Sequence, residues 1–279
     1  MEKAKKVDPF LKRIHEIDFL RGFLMCLVLI DHLFNLLVTF NEGWAGGLEV
    51  INAGGGIQPF LAIYRIALFY WTNPARGIVR WIVLMSFCFV SGISCAFSRN
   101  NWKRALQMVS LWLAIFIVTY ILNGYKESFH WNVGLQSMRV DFNVIGVLAF
   151  SNLIYCFIQD KSWKWLVAFI VISLCIHPLC VIISDTDFGR SLYVPAFWHP
   201  SDKFGYQADY MPLFPYIAFF LGGALLTRFT YAKEKKSYFK RYNWERPFCF
   251  IGRHSLIIYG AHFLVLIGIF KLAELIIGR

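Results

Sequence analysis

The sequence predicts an all-α protein, a polytopic membrane helix bundle of about seven transmembrane helices. Hydrophobic residues fill 58% of the 279 positions and charged residues only 16%, and the mean hydropathy is +0.53. Several apolar runs reach the ~20 residues that cross ~30 Å of hydrocarbon. A soluble globule of this size could not bury so much apolar side chain. The composition therefore excludes a soluble enzyme, a disordered chain and a secreted disulfide scaffold.

The predicted spans follow one another along the whole chain. They cover residues 17–38, 78–96, 105–122, 142–158, 165–183, 213–228 and 255–277. The polar and basic residues before the first span are not followed by a small-residue cleavage site, so we expect the first span to be retained. We interpret residues 1–279 as a single integral-membrane domain, with a basic cytoplasmic N-terminus at residues 1–16.

The distribution of positive charge predicts the orientation. With a cytoplasmic N-terminus, most of the 28 lysines and arginines fall on inner segments, as the positive-inside rule requires. The net charge of +11 is then explained by topology, and no nucleic acid partner is expected.

Two outer loops are long, at residues 39–77 and 185–211. The first contains the apolar stretch PFLAIYRIALFYWT, residues 59–72. It has about 14 residues, the length of a re-entrant or interfacial piece rather than a crossing. If this stretch were a span, the basic segments after it would lie on the outer side of the membrane, against the positive-inside rule. We therefore predict that it does not cross.

Charged residues in the first span need a physical reason, because each costs a few kcal/mol at membrane depth unless it is paired or hydrated. Asp18 and Arg21 are three residues apart and therefore neighbours on one helix face. A local ion pair is a sufficient explanation for both. The alternative is a role in ordering a site or holding a cofactor.

Histidines in the spans are candidates for catalysis. His32 lies on nearly the same helix face as Arg21, three turns further along, and His262 lies about two turns into the last span. Imidazole titrates near neutral pH, which suits a general base. Asp31 points about 100° away from His32 and could orient or charge-pair a basic group. We interpret His177, beside Pro178, as structural.

Other polar residues are candidates for binding. Asn143, Asp209 and Tyr259 lie in or next to predicted spans and could contact a substrate, although Tyr259 could also simply pack between helices. Arginines at the inner membrane face could hold the phosphates of an anionic cofactor or bind lipid headgroups. These arginines are Arg21, Arg99, Arg104 and Arg253.

Common soluble catalytic and metal-binding motifs are not found in the sequence. It has no Walker sequence, HExxH, GxSxG or CxxC. We therefore expect neither a metal nor a disulfide.

Four stretches resemble the heparan-alpha-glucosaminide N-acetyltransferase catalytic family in its short bacterial form, within the wider transmembrane acyltransferase group. They occur in the family's order across nearly the whole chain, which is more specific than any one of them. They are RIHEIDFLRGFLMCLVLIDHLFNLL (13–37), FCFVSGISCAFSR (87–99), DYMPLFPYIAFFLGGALL (209–226) and FIGRHSLIIYGAH (250–262).

The resemblance implies a membrane-embedded acetyltransferase. Its donor would be acetyl-CoA on the cytoplasmic side, and its acceptor an amine or hydroxyl, often of a sugar, on the far side. Expected partners are membrane lipid, acyl-CoA and a glycan or other small acceptor, and a homo-oligomer is compatible with this. The expected location is the cytoplasmic membrane of a bacterium. The residues that match the family's motif positions are Asp18, Arg21, His32, Arg253, Ser255 and His262.

Two alternatives stay open. A transporter or channel could use the same intramembrane polar stripe without covalent chemistry. A catalytically inactive family member is the other. The chain has no histidine between Leu33 and Phe129, and Asn143 stands where bacterial relatives usually have a histidine.

Overall fold

The structure is a computed structural model that describes residues 14–98, 100–125, 139–198, 207, 209–230, 237, 239–240 and 242–277. Helices dominate the described residues, which also contain an isolated antiparallel bridge between Val194 and Trp198. The helices are α1 (His15–Ala45), α2 (Leu48–Asn52), α3 (Gln58–Thr72), α4 (Pro74–Ala96), α5 (Asn101–Gly124), α6 (Val144–Ile158), α7 (Trp163–Ser184), α8 (Asp187–Ser191), α9 (Tyr216–Thr230), a 3-10 turn (Asn243–Glu245), α10 (Arg246–Arg253) and α11 (Ser255–Ile277). The prediction of an all-α protein is therefore confirmed.

Helices α1, α4, α5, α7 and α11 are the 5 described helices that are long and apolar enough to cross a membrane. Helices α6 and α9 are also apolar, but each has only 15 residues. Each of the predicted spans is helical, whereas seven crossings and a cytoplasmic N-terminus stay predictions.

Asparagine side chains set the start of three helices. Asn73 accepts a hydrogen bond from the Ala75 amide before α4, and Asn100 accepts one from the Lys103 amide before α5. Asn143 caps α6 in the same way. Each cap satisfies an amide that has no partner inside the helix. Asn143 was predicted to lie inside the fourth span, and the structure places it just before the helix instead.

Side-chain contacts show how the helices run relative to one another. The rings of His32 and His262 lie together, and so do those of Phe40 and Phe270 further along both helices. Helices α1 and α11 are therefore parallel. Hereafter the basic end of the bundle is the end where α1 and α11 begin, and the other end is the opposite end.

Helices α4 and α3 run antiparallel to α1. Arg76, near the start of α4, pairs with Asp31, while Ser94, near its end, binds Arg21 at the basic end. Helix α3 packs along the C-terminal half of α1, where Tyr70 contacts Phe34 with ring centroids 4.3 Å apart. Helix α3 reaches from the end of α1, where Leu61 packs near Ala45, only to its middle, and this position fits the predicted non-crossing segment.

Close backbone contact at glycines joins α4 to α9. A Cβ atom at Gly223 would overlap with the carbonyl oxygen of Phe89, and one at Gly92 would overlap with that of Phe220. The neighbouring Gly222 differs, because a Cβ atom there would lie 3.7 Å from the Phe89 ring, an ordinary contact. Gly22 of α1 and Gly252 of α10 form a second backbone contact of the same kind at the basic end.

We expect Gly223→Ala to lower the free energy of unfolding by about 1–3 kcal/mol, because the methyl group forces two backbones apart. Gly222→Ala is the matched control and should be neutral or slightly stabilising, since alanine favours the helix. Thermal unfolding of both purified variants in the same detergent measures the difference. Equal melting temperatures would show that the helix contact does not depend on Gly223.

Candidate active site

Three cavities meet in the middle of the bundle, and Tyr259 of α11 lines all of them. The basic cavity, of about 190 Å³, lies toward the basic end and includes Arg21, Arg104 and Arg253. The polar cavity, of about 600 Å³, includes Asp31 and His32. The apolar cavity, of about 160 Å³, lies beside the two histidines. We first describe the basic cavity.

Arginines from three helices converge on the basic cavity. Arg21 comes from α1, Arg104 from α5 and Arg253 from the end of α10. Ser91 and Ser255 add hydroxyl groups to the same wall. Three guanidinium groups on one small cavity produce a positive potential that suits a phosphorylated ligand. Four residues predicted from the sequence to bind cofactor therefore lie together in this cavity: Arg21, Arg104, Arg253 and Ser255.

Asp18 has a different partner from the one its spacing predicted. Its Oδ2 lies 3.2 Å from Nε of Arg253, and Arg21 instead donates to the hydroxyl of Ser94. The expectation of a local Asp18–Arg21 pair is therefore corrected. The reason is tertiary, because α10 packs against the first turns of α1 and brings Arg253 to Asp18. This places Asp18 at the basic end as a positioning partner of Arg253, away from the histidines.

His32 and His262, from parallel helices, lie side by side with ring centroids 4.8 Å apart. Both line the apolar cavity, and His32 also lines the polar cavity. The prediction that two intramembrane histidines could serve one site therefore has a geometric basis. His177 is not among the described residues that line the three cavities.

Hydrogen bonding defines the tautomer of His262. Its Nδ1 lies 2.5 Å from the backbone carbonyl oxygen of Tyr259. A carbonyl oxygen only accepts, so Nδ1 carries the hydrogen, and Nε2 of the neutral ring holds the lone pair. The side chain is buried, with 8% exposure. Among the described residues Nε2 has no hydrogen-bond partner, so it is available as a base.

The predicted substrate-binding residues surround this histidine pair. The hydroxyl of Tyr259 donates to Oδ2 of Asp209 at 2.5 Å, and Asp209 lines both the apolar and the polar cavity. Asn143 lines the apolar cavity, where its side-chain oxygen accepts from the amides of Ile145 and Gly146. Capping therefore occupies the oxygen of Asn143, whereas Tyr259 and Asp209 form a polar link beside the histidines.

Asp31, predicted as a catalytic residue, pairs with Arg76 of α4. The two side chains form a bidentate contact with distances of 2.7 and 2.8 Å. Tyr70 of α3 donates to the same carboxylate at 3.1 Å, and Arg76 lies 3.5 Å over the ring of Trp71. Asp31 does charge-pair a basic group, as expected, but that group is an arginine rather than a histidine.

Tyr70 keeps its proton in this cluster. Burial and the neighbouring carboxylate of Asp31 raise the pKa of the phenol above its ordinary value. The hydroxyl is therefore a donor to Asp31 throughout the physiological pH range. The cluster of Asp31, Arg76, Tyr70 and Trp71 joins α1 to the corner between α3 and α4 and forms one wall of the polar cavity.

Some residues of the site were not predicted from the sequence. Arg80 lines the polar cavity, and its position inside a predicted span is the same signal that identified Arg21. Arg76 gave no such signal, because it lies outside the predicted spans. We expected the polar groups to meet in one cavity between the first, fourth, sixth and seventh spans. The three cavities are lined by the first, fourth and seventh of these and by α3, α4 and α5, whereas the described residues of the sixth span do not line them. Arg99, predicted to bind cofactor, lies outside the described residues.

A buried base next to a tyrosine that lines a basic, a polar and an apolar cavity, inside a helical membrane bundle, is the arrangement expected of a membrane-embedded group transferase. The chain belongs to the heparan-alpha-glucosaminide N-acetyltransferase catalytic family, whose profile matches residues 57–264. It is thus an integral membrane protein of a transmembrane acetyltransferase family. A search of curated proteins and a search of solved structures gave no match.

The matched region covers most of the chain and contains three of the four stretches on which the resemblance was recognised. The stretch at residues 13–37 precedes it. His262, Arg253 and Asp209 lie inside the match, while His32 lies before it. The contact between His32 and His262 therefore joins a residue outside the matched region to one within it.

We expect Asp31→Asn to lower the free energy of unfolding by about 2 kcal/mol, because it leaves the partly buried guanidinium of Arg76 without a carboxylate. Glu274→Gln is the control, since it removes the carboxylate of the local Lys271–Glu274 pair, and such pairs contribute about 0.5 kcal/mol or less. Melting temperatures of the two variants give the comparison. A double exchange, Asp31→Arg with Arg76→Asp, should recover part of the loss. An unchanged Asp31→Asn protein would contradict this role.

Proposed function

We propose that the protein transfers an acetyl group from cytoplasmic acetyl-CoA to an acceptor at the opposite membrane face. The acceptor group is an amine or hydroxyl, and the proposed acceptor class is a sugar. The observation that carries the proposal is Nε2 of His262. It is buried and has no hydrogen-bond partner among the described residues. It lines the apolar cavity beside Tyr259, the residue at which the basic and polar cavities also meet.

The basic cavity suits the donor. Coenzyme A carries a diphosphate and a further phosphate, and Arg21, Arg104 and Arg253 offer charge-assisted hydrogen bonds to such groups. A cytoplasmic N-terminus would place this end of the bundle in the compartment that holds acetyl-CoA, in agreement with the positive-inside rule. Helices α6 and α9 would then also cross, giving seven spans.

The polar cavity suits the acceptor. Its volume of about 600 Å³ lies in the ~300–1,000 Å³ range of small-molecule sites. Asp31, Arg76 and Arg80 provide charged and hydrogen-bonding groups, and Tyr70 and Trp71 provide aromatic faces. This mixture of polar and aromatic side chains is suited to a sugar or another small polar acceptor.

The chemistry proceeds at the thioester carbonyl. Nε2 of His262 removes the proton from the acceptor N–H or O–H as that atom attacks the carbonyl carbon. The new C–N or C–O bond forms and the C–S bond breaks. The departing CoA thiolate takes the proton from the imidazolium and leaves as the thiol. A covalent acetyl-histidine intermediate would use the same nitrogen as nucleophile.

His32 and Asp209 assist from either side. The ring of His32 lies 4.8 Å from that of His262 and also borders the polar cavity, so it can contact the acceptor. Asp209 holds the Tyr259 hydroxyl. The carbonyl of Tyr259 in turn fixes the tautomer of His262.

We expect His262→Asn to reduce kcat by about 10²–10⁴-fold, the usual contribution of a general base. The asparagine amide can keep a hydrogen bond to the Tyr259 carbonyl but lacks a base at the Nε2 position. His177→Asn removes a histidine away from the cavities and should retain activity. Release of CoA thiol from acetyl-CoA in the presence of glucosamine, in reconstituted vesicles, measures both. Full activity in His262→Asn at equal protein amounts would refute the mechanism.

We expect Arg104→Gln to weaken CoA binding by about tenfold or more, because a charge-assisted hydrogen bond contributes roughly 1.5–3 kcal/mol. Lys103→Gln, the next residue on α5, is exposed and is not part of the cavity lining, so its affinity should stay unchanged. Binding is measured as thermal stabilisation of the purified protein by CoA, which should approach 2.7 kcal/mol at about 100 times Kd. If CoA affinity fell equally in Arg104→Gln and Lys103→Gln, CoA would be attracted by the overall positive charge and not by a specific contact with Arg104.

The transporter alternative makes a different prediction. A solute or proton path through the same groups would give flux across vesicles without consumption of acetyl-CoA, and CoA would not stabilise the protein. An inactive family member could bind CoA but would show no turnover with any acceptor. The two experiments above therefore separate the three functions.

A further inference from the structure

The apolar cavity is an opening between α5 and α11. The two helices meet where Gly260 faces Leu111, and further along Leu122 packs against the cluster that includes Ile267 and Phe270. Between these two contacts the cavity separates the helices. Its inner end reaches His32 and His262.

Aliphatic side chains form the outer walls of this cavity. Ala114 and Val118 of α5 face Leu264 of α11, and Val118 and Leu264 keep exposures of 44% and 52%. The cavity is therefore open on the side that faces lipid in a membrane.

Two polar side chains of the cavity wall, Thr119 and Asp209, already have partners. Thr119 donates to the carbonyl of Ile115 at 2.8 Å and accepts from the amide of Val140. Asp209 accepts from Tyr259. A guest in this space would therefore meet apolar surface on most sides and the unpartnered Nε2 of His262 at its inner end.

In acyl transfer, three different groups must be accommodated around the thioester carbonyl carbon. The thioester carbonyl carbon bears the sulfur of CoA, the acyl chain and, during attack, the acceptor atom. The basic cavity suits CoA and the polar cavity suits the acceptor. The third cavity that meets them at Tyr259 is apolar and has a volume of about 160 Å³, well above the ~10–15 Å³ that one water-sized group requires. The methyl group of acetate would leave most of it empty.

We infer that the apolar cavity holds an acyl chain longer than acetyl, so that the donor class extends from acetyl-CoA to short-chain acyl-CoAs such as butyryl-CoA and hexanoyl-CoA. This rests on the proposed function and deepens it by naming the donor class. The bond changes are those of acetyl transfer: the acceptor N–H or O–H loses its proton, the acyl C–S bond breaks and CoA leaves as the thiol. The chain itself undergoes no bond change.

An alternative guest is the hydrocarbon tail of a lipid-borne acceptor. The acyl chain is favoured because the apolar cavity meets the basic cavity, which suits CoA, at Tyr259. It is also favoured because the polar cavity already gives the acceptor a separate space of about 600 Å³. The experiment below distinguishes the two.

The test measures binding and turnover of acetyl-, butyryl- and hexanoyl-CoA by the full-length protein in lipid nanodiscs, with glucosamine as acceptor. Each methylene buried should tighten binding about fourfold, so butyryl-CoA, with two more methylenes, should bind about 15-fold more tightly than acetyl-CoA. Val118→Phe narrows the cavity and should make the affinities for butyryl-CoA and acetyl-CoA equal. Ile117→Phe is the matched control, because Ile117 is the adjacent residue, is 53% exposed and is not part of the cavity wall. It should keep the preference.

If Val118→Phe does not fold, Ala114→Phe fills the same space from one turn earlier. Three outcomes would overturn this inference alone. The first is that acetyl-CoA is used but butyryl-CoA is neither bound nor used, and the second is that Val118→Phe and Ile117→Phe have equal effects. The third is that Val118→Phe slows transfer to a lipid-linked amino sugar while the donor preference is unchanged. Absence of binding and turnover with every acyl-CoA would instead refute the proposed function, and this inference with it.

Discussion

Ionisable side chains inside an apolar helix bundle need partners, and this protein supplies them from distant parts of the chain. Asp18 and Asp31 both lie on α1, yet their partners are Arg253 and Arg76. Because an unpaired charge in such surroundings is costly, each contact also constrains where its helix lies. The first contact holds α10 at the basic end of α1. The second holds the corner between α3 and α4 halfway along it.

These constraints position the candidate site. With both contacts in place, α11 continues from α10 parallel to α1, and His262 arrives beside His32. Glycine contacts make the close approach possible, since Gly22 and Gly252 allow α1 and α10 to touch backbone to backbone. Larger side chains at these positions would separate the helices and move the histidines apart. The geometry of the site therefore depends on packing well away from it.

His262 is one of the described residues in which a buried polar atom lacks a hydrogen-bond partner. One ring nitrogen is held by a backbone carbonyl, and the other has no partner among the described residues. A buried polar atom left in this state is unfavourable for folding. A substrate that forms a hydrogen bond with it would relieve that penalty, which is a physical reason for binding at this position. His262 lines the apolar cavity, and Tyr259, whose carbonyl holds it, lines all three cavities. Donor, acceptor and acyl chain can therefore be considered separately.

The sequence by itself determined the helical membrane bundle. Apolar runs of this length are long enough to cross a bilayer, and in lipid a single run satisfies its backbone hydrogen bonds as a helix. It also identified His32, His262, Arg21, Arg104 and Arg253, because a charge or imidazole in or beside a span is conspicuous. Only the tertiary structure decided the pairing: Asp18 with Arg253, Asp31 with Arg76, and Tyr259 with Asp209. Spacing along one helix indicates which residues share a face, but partners on other helices depend on how those helices pack. That packing rests on non-local contacts such as the glycine pairs, which a linear pattern does not encode.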